Sequence, residues 1–234
     1  MRGPGPVALA AAALLLALGG CARDQRAMLP ADRSAVVLYV ALGDSTVEGV
    51  GATGVGATYV ARLHERLRGH YPQARVVNLG AAGATSADVR AGQLERAVAL
   101  RPHLVTLSVG PNDVTGGVGV GDFGQNVAAI LRRLRDGAEP VVVVSLLPDL
   151  TVTPRFAGRP EAQAVGRRAA AFNDVLREQA EEHGATVVDL YGPSRDEVPR
   201  NPWLVASDGY HPSDAGYARW AELMWRGIEA RLGR

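Results

Sequence analysis

The chain contains no lysine, because all 25 of its basic residues are arginine. Without lysine the protein cannot form a Schiff base with a substrate, anchor pyridoxal phosphate or build a lysine-containing phosphate loop. It has one cysteine, Cys21, which excludes an intramolecular disulfide and a zinc site made of several thiolates. The formal net charge is only +1, so the composition gives no electrostatic reason to expect nucleic acid as a partner.

What remains is an ordinary globular composition. Of the 234 residues, 47% are hydrophobic and 21% are charged, which is typical of a chain that buries a sizeable core. No linker-like break and no internal repeat interrupts the sequence after the first 33 residues. We therefore expect a single domain over residues 34–234.

The N-terminal segment has a different character. Arg2 is followed by an apolar run over residues 7–18 and then by Gly19-Gly20-Cys21. A positive start, a short apolar run and small residues at its end predict a signal peptide over residues 1–20, since a transmembrane helix needs about 20 apolar residues. Residues 21–33 are mostly polar and charged, and we predict that they form a flexible tether.

The end of the apolar run, Leu18-Gly19-Gly20-Cys21, resembles the lipobox of bacterial lipoproteins. The resemblance implies that the chain is cleaved before Cys21 and that a lipid is attached to the Cys21 sulfur. The protein would then be exported and anchored to a membrane of the bacterial cell envelope. Cleavage near Leu18, as in an ordinary secreted protein, is the alternative and would leave the protein soluble.

From Ser34 onward, continuously apolar segments alternate with segments of helical periodicity. The predicted strands are residues 35–42, 75–79, 103–109, 139–147 and 186–190. The predicted helices are residues 58–71, 86–100, 123–135, 161–183 and 213–232, and residues 191–210 are expected to form a loop. This alternation predicts an α/β fold, a three-layer α/β/α sandwich around a five-stranded parallel sheet. Functional sites in such folds lie beyond the carboxyl ends of the strands.

Polar residues occupy those positions in four blocks. The blocks are Gly43-Asp44-Ser45-Thr46, Asn78-Leu79-Gly80-Ala81-Ala82-Gly83, Gly110-Pro111-Asn112-Asp113 and Asp208-Gly209-Tyr210-His211. A serine hydroxyl becomes a nucleophile when a base accepts its proton, and Ser45 and His211 supply such a pair. Asp208, three residues before His211, can hold the imidazole in the required tautomer. The N–H of Gly83 and the side-chain amide of Asn112 can donate to a developing oxyanion.

The four blocks resemble those of the SGNH hydrolase superfamily, also called GDSL esterases and lipases. Ser45 matches the family's nucleophile within Gly-Asp-Ser. Gly83 matches the glycine of the second block, and Asn112 matches the asparagine of the third. Asp208 and His211 match the Asp-x-x-His of the last block. The match covers nearly the whole predicted domain, with threonine in place of the leucine of the GDSL name.

This resemblance implies the fold, the reaction and the residue roles. The fold would be the flavodoxin-like sandwich of SGNH hydrolases. The reaction would be hydrolysis of acyl esters or thioesters, as by a lysophospholipase, lipase or thioesterase, through an acyl-enzyme and without a cofactor or metal. Ser45 would be the nucleophile, His211 the base and Asp208 the acid that orients it. The N–H groups of Ser45 and Gly83 and the Asn112 amide would form the oxyanion hole.

Other residues compete for some of these roles. Gly80 is an alternative to Gly83 as the second-block glycine. Asp189, at the end of the fifth predicted strand, is an alternative to Asp208, which we prefer because it shares a short turn with the base. A metal site that combines the Asp-x-x-His block with Asp214 is also conceivable.

Two further features need an interpretation. Asp44 and Asp113 lie beside the predicted nucleophile and oxyanion donor, and we expect both to stabilise turns rather than to react. Residues 49–54 fit the Gly-x-Gly-x-x-Gly dinucleotide fingerprint. However, they begin several residues after the strand, and the second strand ends in Asn78 and Leu79 rather than in an acid. A flexible loop near the nucleophile is the preferred interpretation.

Two other functions agree with the same blocks. The first is a carbohydrate O-acetyl esterase of the cell envelope. The second is a non-catalytic envelope lipoprotein that binds acylated ligands on an esterase-like scaffold. The segments that would decide the substrate are the glycine-rich residues 115–121, the insert around Arg155, Phe156 and Arg159, and the loop with Trp203. Oligomeric state has no signature in the sequence.

Overall fold

The computed structural model describes Met1, Gly3 and residues 27–233, so Cys21 and nearly all of the predicted signal peptide lie outside the described residues. Within these residues the strands are β1 (Leu38–Gly43), β2 (Arg75–Asn78), β3 (Leu104–Ser108), β4 (Val141–Ser145) and β5 (Thr186–Val188). They form one parallel sheet in the order β2-β1-β3-β4-β5. The predicted five-stranded parallel sheet is confirmed, and its order is the flavodoxin-like one.

Helices connect the strands. They are α1 (Ser45–Glu48), α2 (Tyr59–His70), α3 (Ser86–Asp88), α4 (Leu94–Ala99), α5 (Pro111–Thr115), α6 (Val120–Arg135), α7 (Ala162–Glu182), α8 (Tyr191–Glu197) and α9 (Asp214–Glu229). Short 3₁₀ turns occur at Val55–Ala57, Leu150–Val152 and Pro202–Leu204. The predicted bounds of α2 and α7 are correct to within one residue at each end. Ser213 caps α9, because its hydroxyl accepts a hydrogen bond from the N–H of Gly216 at 3.2 Å.

The core has two parts, one on each face of the sheet. In β1, Val40 and Leu42 pack with the apolar faces of α6 and α7, whereas Tyr39 and Ala41 pack with those of α2 and α9. Successive side chains of a strand point to opposite faces, so a strand covered on both sides must be apolar throughout. This is why the strands appear in the sequence as continuous apolar runs.

The prediction of a loop over residues 191–210 is wrong at its start, where α8 forms. Asp189, two residues before α8, stabilises the start of this helix, because its carboxylate accepts hydrogen bonds from the first two N–H groups of α8 at 2.7 and 3.1 Å. Gly192 and Pro193 suggest a loop, but proline is tolerated in a first helical turn, where its missing N–H has no helical acceptor.

The helix predicted over residues 86–100 is interrupted by a π-helical turn at Val89–Gln93. The side chain of Gln93 is buried and binds both backbone groups of Gly43: Oε1 accepts from the N–H at 2.9 Å and Nε2 donates to the carbonyl at 2.8 Å. Gln93 therefore anchors the end of β1, directly before the predicted nucleophile. Periodicity alone does not reveal such a contact.

The structure also differs from the flexible tether predicted for residues 21–33. Leu29 is 2% exposed, and its N–H donates to the carbonyl of Arg231 at 2.8 Å. The guanidinium of Arg33 donates to the carbonyl of Gly233 at 2.6 Å. This end of the segment packs on the domain because Leu29 is apolar and finds a buried site. None of the helices in the described part of the chain combines the length and hydropathy that crossing a membrane requires.

Candidate active site

Ser45 is the first residue of α1 and follows β1 after a sharp turn. Asp44 caps this helix, because its Oδ1 accepts hydrogen bonds from the N–H of Thr46 at 2.9 Å and from the Thr46 hydroxyl at 2.8 Å. Gly43 has a φ of 146°, and a Cβ there would lie 1.9 Å from the carbonyl oxygen of Ser108. The turn therefore requires glycine, and it holds Ser45 at the carboxyl end of the sheet.

The imidazole of His211 bridges Ser45 and Asp208. Its Nε2 lies 2.9 Å from the Ser45 Oγ, and its Nδ1 lies 2.6 Å from Oδ2 of Asp208. The other carboxylate oxygen of Asp208 accepts the N–H groups of Tyr210 at 2.9 Å and His211 at 3.0 Å. An ionised carboxylate only accepts, so Nδ1 carries the proton in this arrangement and Nε2 is free to accept one from a hydroxyl.

Asp208 is held in its charged form. Partial burial raises its pKa, but the hydrogen bonds from the imidazole and from two N–H groups outweigh that effect, so the pKa lies below its usual range. The side chain of Asp208 is 42% exposed, whereas that of His211 is 17% exposed. A carboxylate in this position stays ionised at neutral pH and stabilises an imidazolium.

Gly80 and Gly83 have different surroundings. The N–H of Gly80 donates to the side-chain oxygen of Asn78 at 2.9 Å, and a Cβ there would lie 2.5 Å from the backbone nitrogen of Glu48. Gly80 is therefore needed for packing against α1, and its N–H is occupied. Gly83 has a φ of 79°, with no atom within 4 Å of the position of a Cβ. This open turn favours Gly83 over Gly80 as the donor to a substrate.

Asn112 lies in α5, directly after β3. Its Nδ2 donates to the carbonyl of Ala84 at 2.9 Å, which fixes the amide beside the loop that carries Gly83. An amide nitrogen has two hydrogens, so the second remains available for another acceptor. The structure thus brings the second and third sequence blocks into direct contact.

The other acidic residues have structural partners. The carboxylate of Asp113 is buried and accepts the N–H of Ser86 at 2.9 Å and its hydroxyl at 2.6 Å, which ties α5 to α3. Asp189 caps α8, as described above. Asp214 accepts the N–H of Thr53 at 2.8 Å and its hydroxyl at 2.5 Å. Each of these three carboxylates therefore stabilises a turn or a helix start through its hydrogen bonds.

The described residues contain no group of three or more His, Cys, Asp or Glu side chains placed to hold a metal ion. Of the carboxylates in this part of the chain, Asp208 is the one that forms a hydrogen bond with the His211 ring. The geometry therefore favours Asp208 over Asp189 as the acid that orients the imidazole.

Asp44 has an unusual environment for a carboxylate. It is 1% exposed, and its Oδ2 has no hydrogen-bond partner among the described residues. Burial raises its pKa to about 6, although the hydrogen bonds from Thr46 and the nearby charge of His211 act in the opposite direction. At neutral pH the Asp44 carboxylate beside Ser45 is therefore ionised, although burial disfavours its charged form.

The glycine-rich loop at residues 49–54 packs against the turn that carries His211. A Cβ at Gly51, where φ is 94°, would lie 2.6 Å from the carbonyl of Pro212 and 3.0 Å from the His211 Cβ. The hydroxyl of Tyr217 donates to the carbonyl of Val50 at 2.6 Å. Gly51, which belongs to the dinucleotide-like motif, therefore allows this loop to approach His211 closely.

An apolar pocket opens beside Ser45 and His211. Its empty volume is about 730 Å³, counted together with its opening to solvent. The walls come from α8, α9, the segment between these two helices and the segment between β4 and α7. The larger apolar residues among them are Leu150, Leu190, Val198, Leu204, Trp220 and Leu223. A hydrocarbon chain attached to a carbonyl at Ser45 would find apolar surface here.

A hydrogen-bonded Ser–His–Asp chain at the carboxyl end of a flavodoxin-like sheet is the arrangement of a serine hydrolase. Residues 41–219 match the GDSL-like lipase/acylhydrolase family, and the chain belongs to that family. The match includes Ser45, Gly83, Asn112, Asp208 and His211, so all four sequence blocks lie inside it.

Curated relatives of this chain are esterases. A GDSL-like esterase of Mycobacterium tuberculosis is 30% identical over 221 residues, which cover 92% of this chain and 67% of that protein. The acetylxylan esterase of Geobacillus stearothermophilus is 30% identical over 197 residues, which cover 80% of this chain and 88% of that enzyme. The crystal structure of TesA aligns with a TM-score of 0.68 at 26% identity, over 83% of this chain and 99% of TesA.

Proposed function

We propose that this serine esterase hydrolyses acyl esters and thioesters through an acyl-enzyme on Ser45. His211 accepts the proton of the Ser45 hydroxyl while the oxygen attacks the ester carbonyl. As the tetrahedral intermediate collapses, His211 gives that proton to the leaving alcohol or thiol. Water then attacks the acyl-serine with the same base, which releases a carboxylic acid and restores the serine. The observation that carries this proposal is the position of the imidazole, 2.9 Å from Ser45 and 2.6 Å from Asp208.

Asp208 is assigned the role of orienting acid. Its bond to Nδ1 keeps that proton in place, so Nε2 faces the serine as an acceptor. When His211 becomes an imidazolium, the adjacent negative charge stabilises it. The lowered pKa of Asp208 supports this assignment, because the carboxylate remains charged over the pH range in which imidazole acts as a base.

The oxyanion donors are assigned to the N–H groups of Ser45 and Gly83 and to the Asn112 amide. Ser45 is the first residue of α1, where the helix offers no acceptor for its N–H. Gly83 lies in an open turn, and the Asn112 amide is fixed next to it through Ala84. Donors held in place before the reaction stabilise the developing charge without having to reorganise.

The apolar pocket supports an acyl chain longer than acetate as the preferred group. It joins Ser45 and His211 to a wall of aliphatic and aromatic side chains. Each methylene that such a wall shields from water contributes about 0.8 kcal/mol to binding. An acetyl group would leave most of this surface unused.

Hydrolysis of carbohydrate O-acetyl groups is the second candidate. It is supported by the similarity to an acetylxylan esterase and by Trp203, which is 65% exposed. Trp203 and Asp208 line the same open depression, so a flat indole face is available beside the proposed site. A sharp preference for acetate esters over longer chains would favour this candidate.

The test compares Ser45→Ala with wild type on p-nitrophenyl esters from acetate to dodecanoate, with Ser34→Ala, an exposed serine, as the matched control. Ser45→Ala should lose essentially all turnover at every chain length, and Ser34→Ala should retain it. A fluorophosphonate probe should label wild type and the control but not Ser45→Ala. If wild type is neither active nor labelled, the protein is instead a binder of acylated ligands on an esterase scaffold.

The proposal includes export and a lipid anchor at Cys21. It rests on the positively charged start, the apolar run and the small residues before the only cysteine. The intact mass of the mature protein from its bacterial host should correspond to a chain that begins at a lipid-modified Cys21. Detection of an unmodified Cys21, or of a shorter mature chain without it, would indicate a freely secreted esterase.

A further inference from the structure

The apolar pocket lies between one face of α8 and one face of α9. The residues from the α8 side are Leu190, Pro193, Ser194, Glu197 and Val198, and those from the α9 side are Gly216, Arg219, Trp220 and Leu223. Both sets recur every three or four residues, so each forms one stripe of its helix. The structure describes α8 in full, and none of its residues is buried. Leu190, directly before the helix, is 1% exposed, so the stripe packs tightly at its start and less tightly along α8 itself.

Glu197 and Arg219 are oppositely charged members of these two stripes, and they bind each other. Nη2 of Arg219 lies 2.7 Å from Oε1 of Glu197, and Nε lies 2.9 Å from Oε2. The two side chains are 29% and 30% exposed, respectively. A two-point contact between a guanidinium and a carboxylate has a specific geometry. It therefore fixes the separation of α8 and α9 beside the pocket.

The two ends of α8 are held in different ways. At its start, Asp189 caps the helix, and the Ser194 hydroxyl accepts the N–H of Asp149 at 2.8 Å. At its end, Glu197 is the last residue of α8 and reaches across to α9. Loss of the bond at Glu197 would free the end of α8 while its start stays attached.

We propose that the ion pair between Glu197 and Arg219 limits the length of the acyl chain that the enzyme hydrolyses well. The inference rests on the proposed function, because it places the acyl group of an ester at Ser45 in the apolar pocket. Ser45, Glu197 and Arg219 line the same pocket, and the proposal places the end of a short acyl chain before the pair. A longer chain must pass between the two helices against a charged pair, and apolar atoms there would remove water from those charges. The pair is a specificity determinant and takes no part in the chemical steps.

Arg219 supplies a matched control through a second partner. Its Nη1 donates to Oε2 of Glu222 at 2.9 Å, and both residues belong to α9. That bond does not connect the two helices. Glu197→Gln therefore removes the charge and one of the two acceptors that connect α8 to α9 and leaves the guanidinium paired with Glu222. Glu222→Gln removes a charge from the same cluster and leaves the two-point contact between the helices intact.

The experiment measures kcat/KM of wild type, Glu197→Gln and Glu222→Gln with p-nitrophenyl acetate, butyrate, octanoate and dodecanoate. In Glu197→Gln, the ratio of dodecanoate to butyrate should rise by about three- to fivefold, the scale expected for a partly exposed ion pair. Acetate hydrolysis should stay within about twofold of wild type, since an acetyl group does not reach the pair. Glu222→Gln should keep the wild-type ratio.

An unchanged ratio in Glu197→Gln would overturn the inference, and so would an equal loss at all chain lengths, which indicates a general structural role. Circular-dichroism melting establishes that each variant is folded. If Glu197→Gln does not fold, Arg219→Gln breaks the same bond from α9 and should shift the ratio in the same direction. Failure of the proposed function is distinguished by Ser45→Ala, which would then be as active as wild type.

Discussion

The His211 imidazole Nδ1 lies 2.6 Å from Oδ2 of Asp208, while the backbone N–H of His211 donates to the other oxygen of the same carboxylate at 3.0 Å. One carboxylate thus holds both the ring and the main chain of the proposed base. A short Asp-x-x-His turn is sufficient for this, because the two residues are neighbours in sequence. The base must in addition approach Ser45, which lies 166 positions away in the chain.

Replacement of the orienting acid should abolish most of the activity. In Asp208→Asn the amide can offer hydrogens to Nδ1, which favours the wrong tautomer of His211, and kcat should fall by about 10³-fold or more. Asp189→Asn serves as control, because an asparagine caps α8 nearly as well as an aspartate. Steady-state rates with p-nitrophenyl butyrate check this. A large loss in Asp189→Asn with full activity in Asp208→Asn would reverse the assignment.

Removal of the side-chain oxyanion donor should reduce kcat with little effect on KM. Asn112→Ala deletes an amide that acts only when negative charge develops, and the loss should be about 10²- to 10³-fold. Asn126→Ala is the matched control, since Asn126 donates to the Ser86 hydroxyl at 3.1 Å, in the structural network around Asp113. If both variants kept wild-type kcat, the oxyanion hole would have to be formed without Asn112.

The sequence was sufficient to predict the parts of the site that are local. Asp208 and His211 share one turn, and Ser45 follows directly on a buried strand, so both positions follow from short segments. The parts that were missed depend on distant contacts. Gln93 reaches the backbone of Gly43 only because a π-helical turn interrupts its helix.

The apolar pocket was also missed, and for a related reason. The pocket depends on α8, which the sequence does not predict because Gly192 and Pro193 suggest a loop. It also depends on the distance between α8 and α9. Separation between helices is set by packing and by contacts such as the one between Glu197 and Arg219, which periodicity does not encode. The reaction class could therefore be predicted from the blocks, whereas the shape of the acyl site could not.

The buried Asp44 should make stability fall as pH rises through weakly acidic values. Its pKa is about 6 in the folded protein and near 3.8 when exposed, so between these values the folded state binds more protons than the unfolded state. The free energy of unfolding therefore decreases between about pH 4 and pH 6, by on the order of 3 kcal/mol from this group. Urea denaturation at pH 4, 5, 6 and 7 measures the effect.

The variant that isolates this contribution is Asp44→Asn. Asparagine keeps the cap on α1 but carries no charge, so its unfolding free energy should not contain the Asp44 term. The new buried amide adds a cost that does not depend on pH, so the comparison uses the difference between the two proteins as a function of pH. Carboxylates that do not interact with Asp44 are shared by the two proteins and cancel, whereas Asp113 and His211 interact with its charge and contribute to the difference. Parallel pH profiles for wild type and Asp44→Asn would contradict the prediction.

The glycines of the dinucleotide-like loop should differ in their tolerance of substitution. A methyl group at Gly51 would collide with the carbonyl of Pro212 and press on the His211 Cβ, and φ there is 94°. Gly51→Ala should therefore displace His211 from Ser45 and lower kcat at least tenfold, a change that a barrier increase of about 1.4 kcal/mol produces.

Gly54 is the matched control, because no atom lies within 4 Å of the position of its Cβ and its φ of −175° is extended backbone. Gly54→Ala should therefore keep wild-type kcat and thermal midpoint. A nucleotide-binding loop would need both glycines, so comparable loss in Gly51→Ala and Gly54→Ala would contradict the role assigned to this loop. A selective loss in Gly51→Ala, with a fold that still melts cooperatively, would mean that the glycine acts by making room for the base.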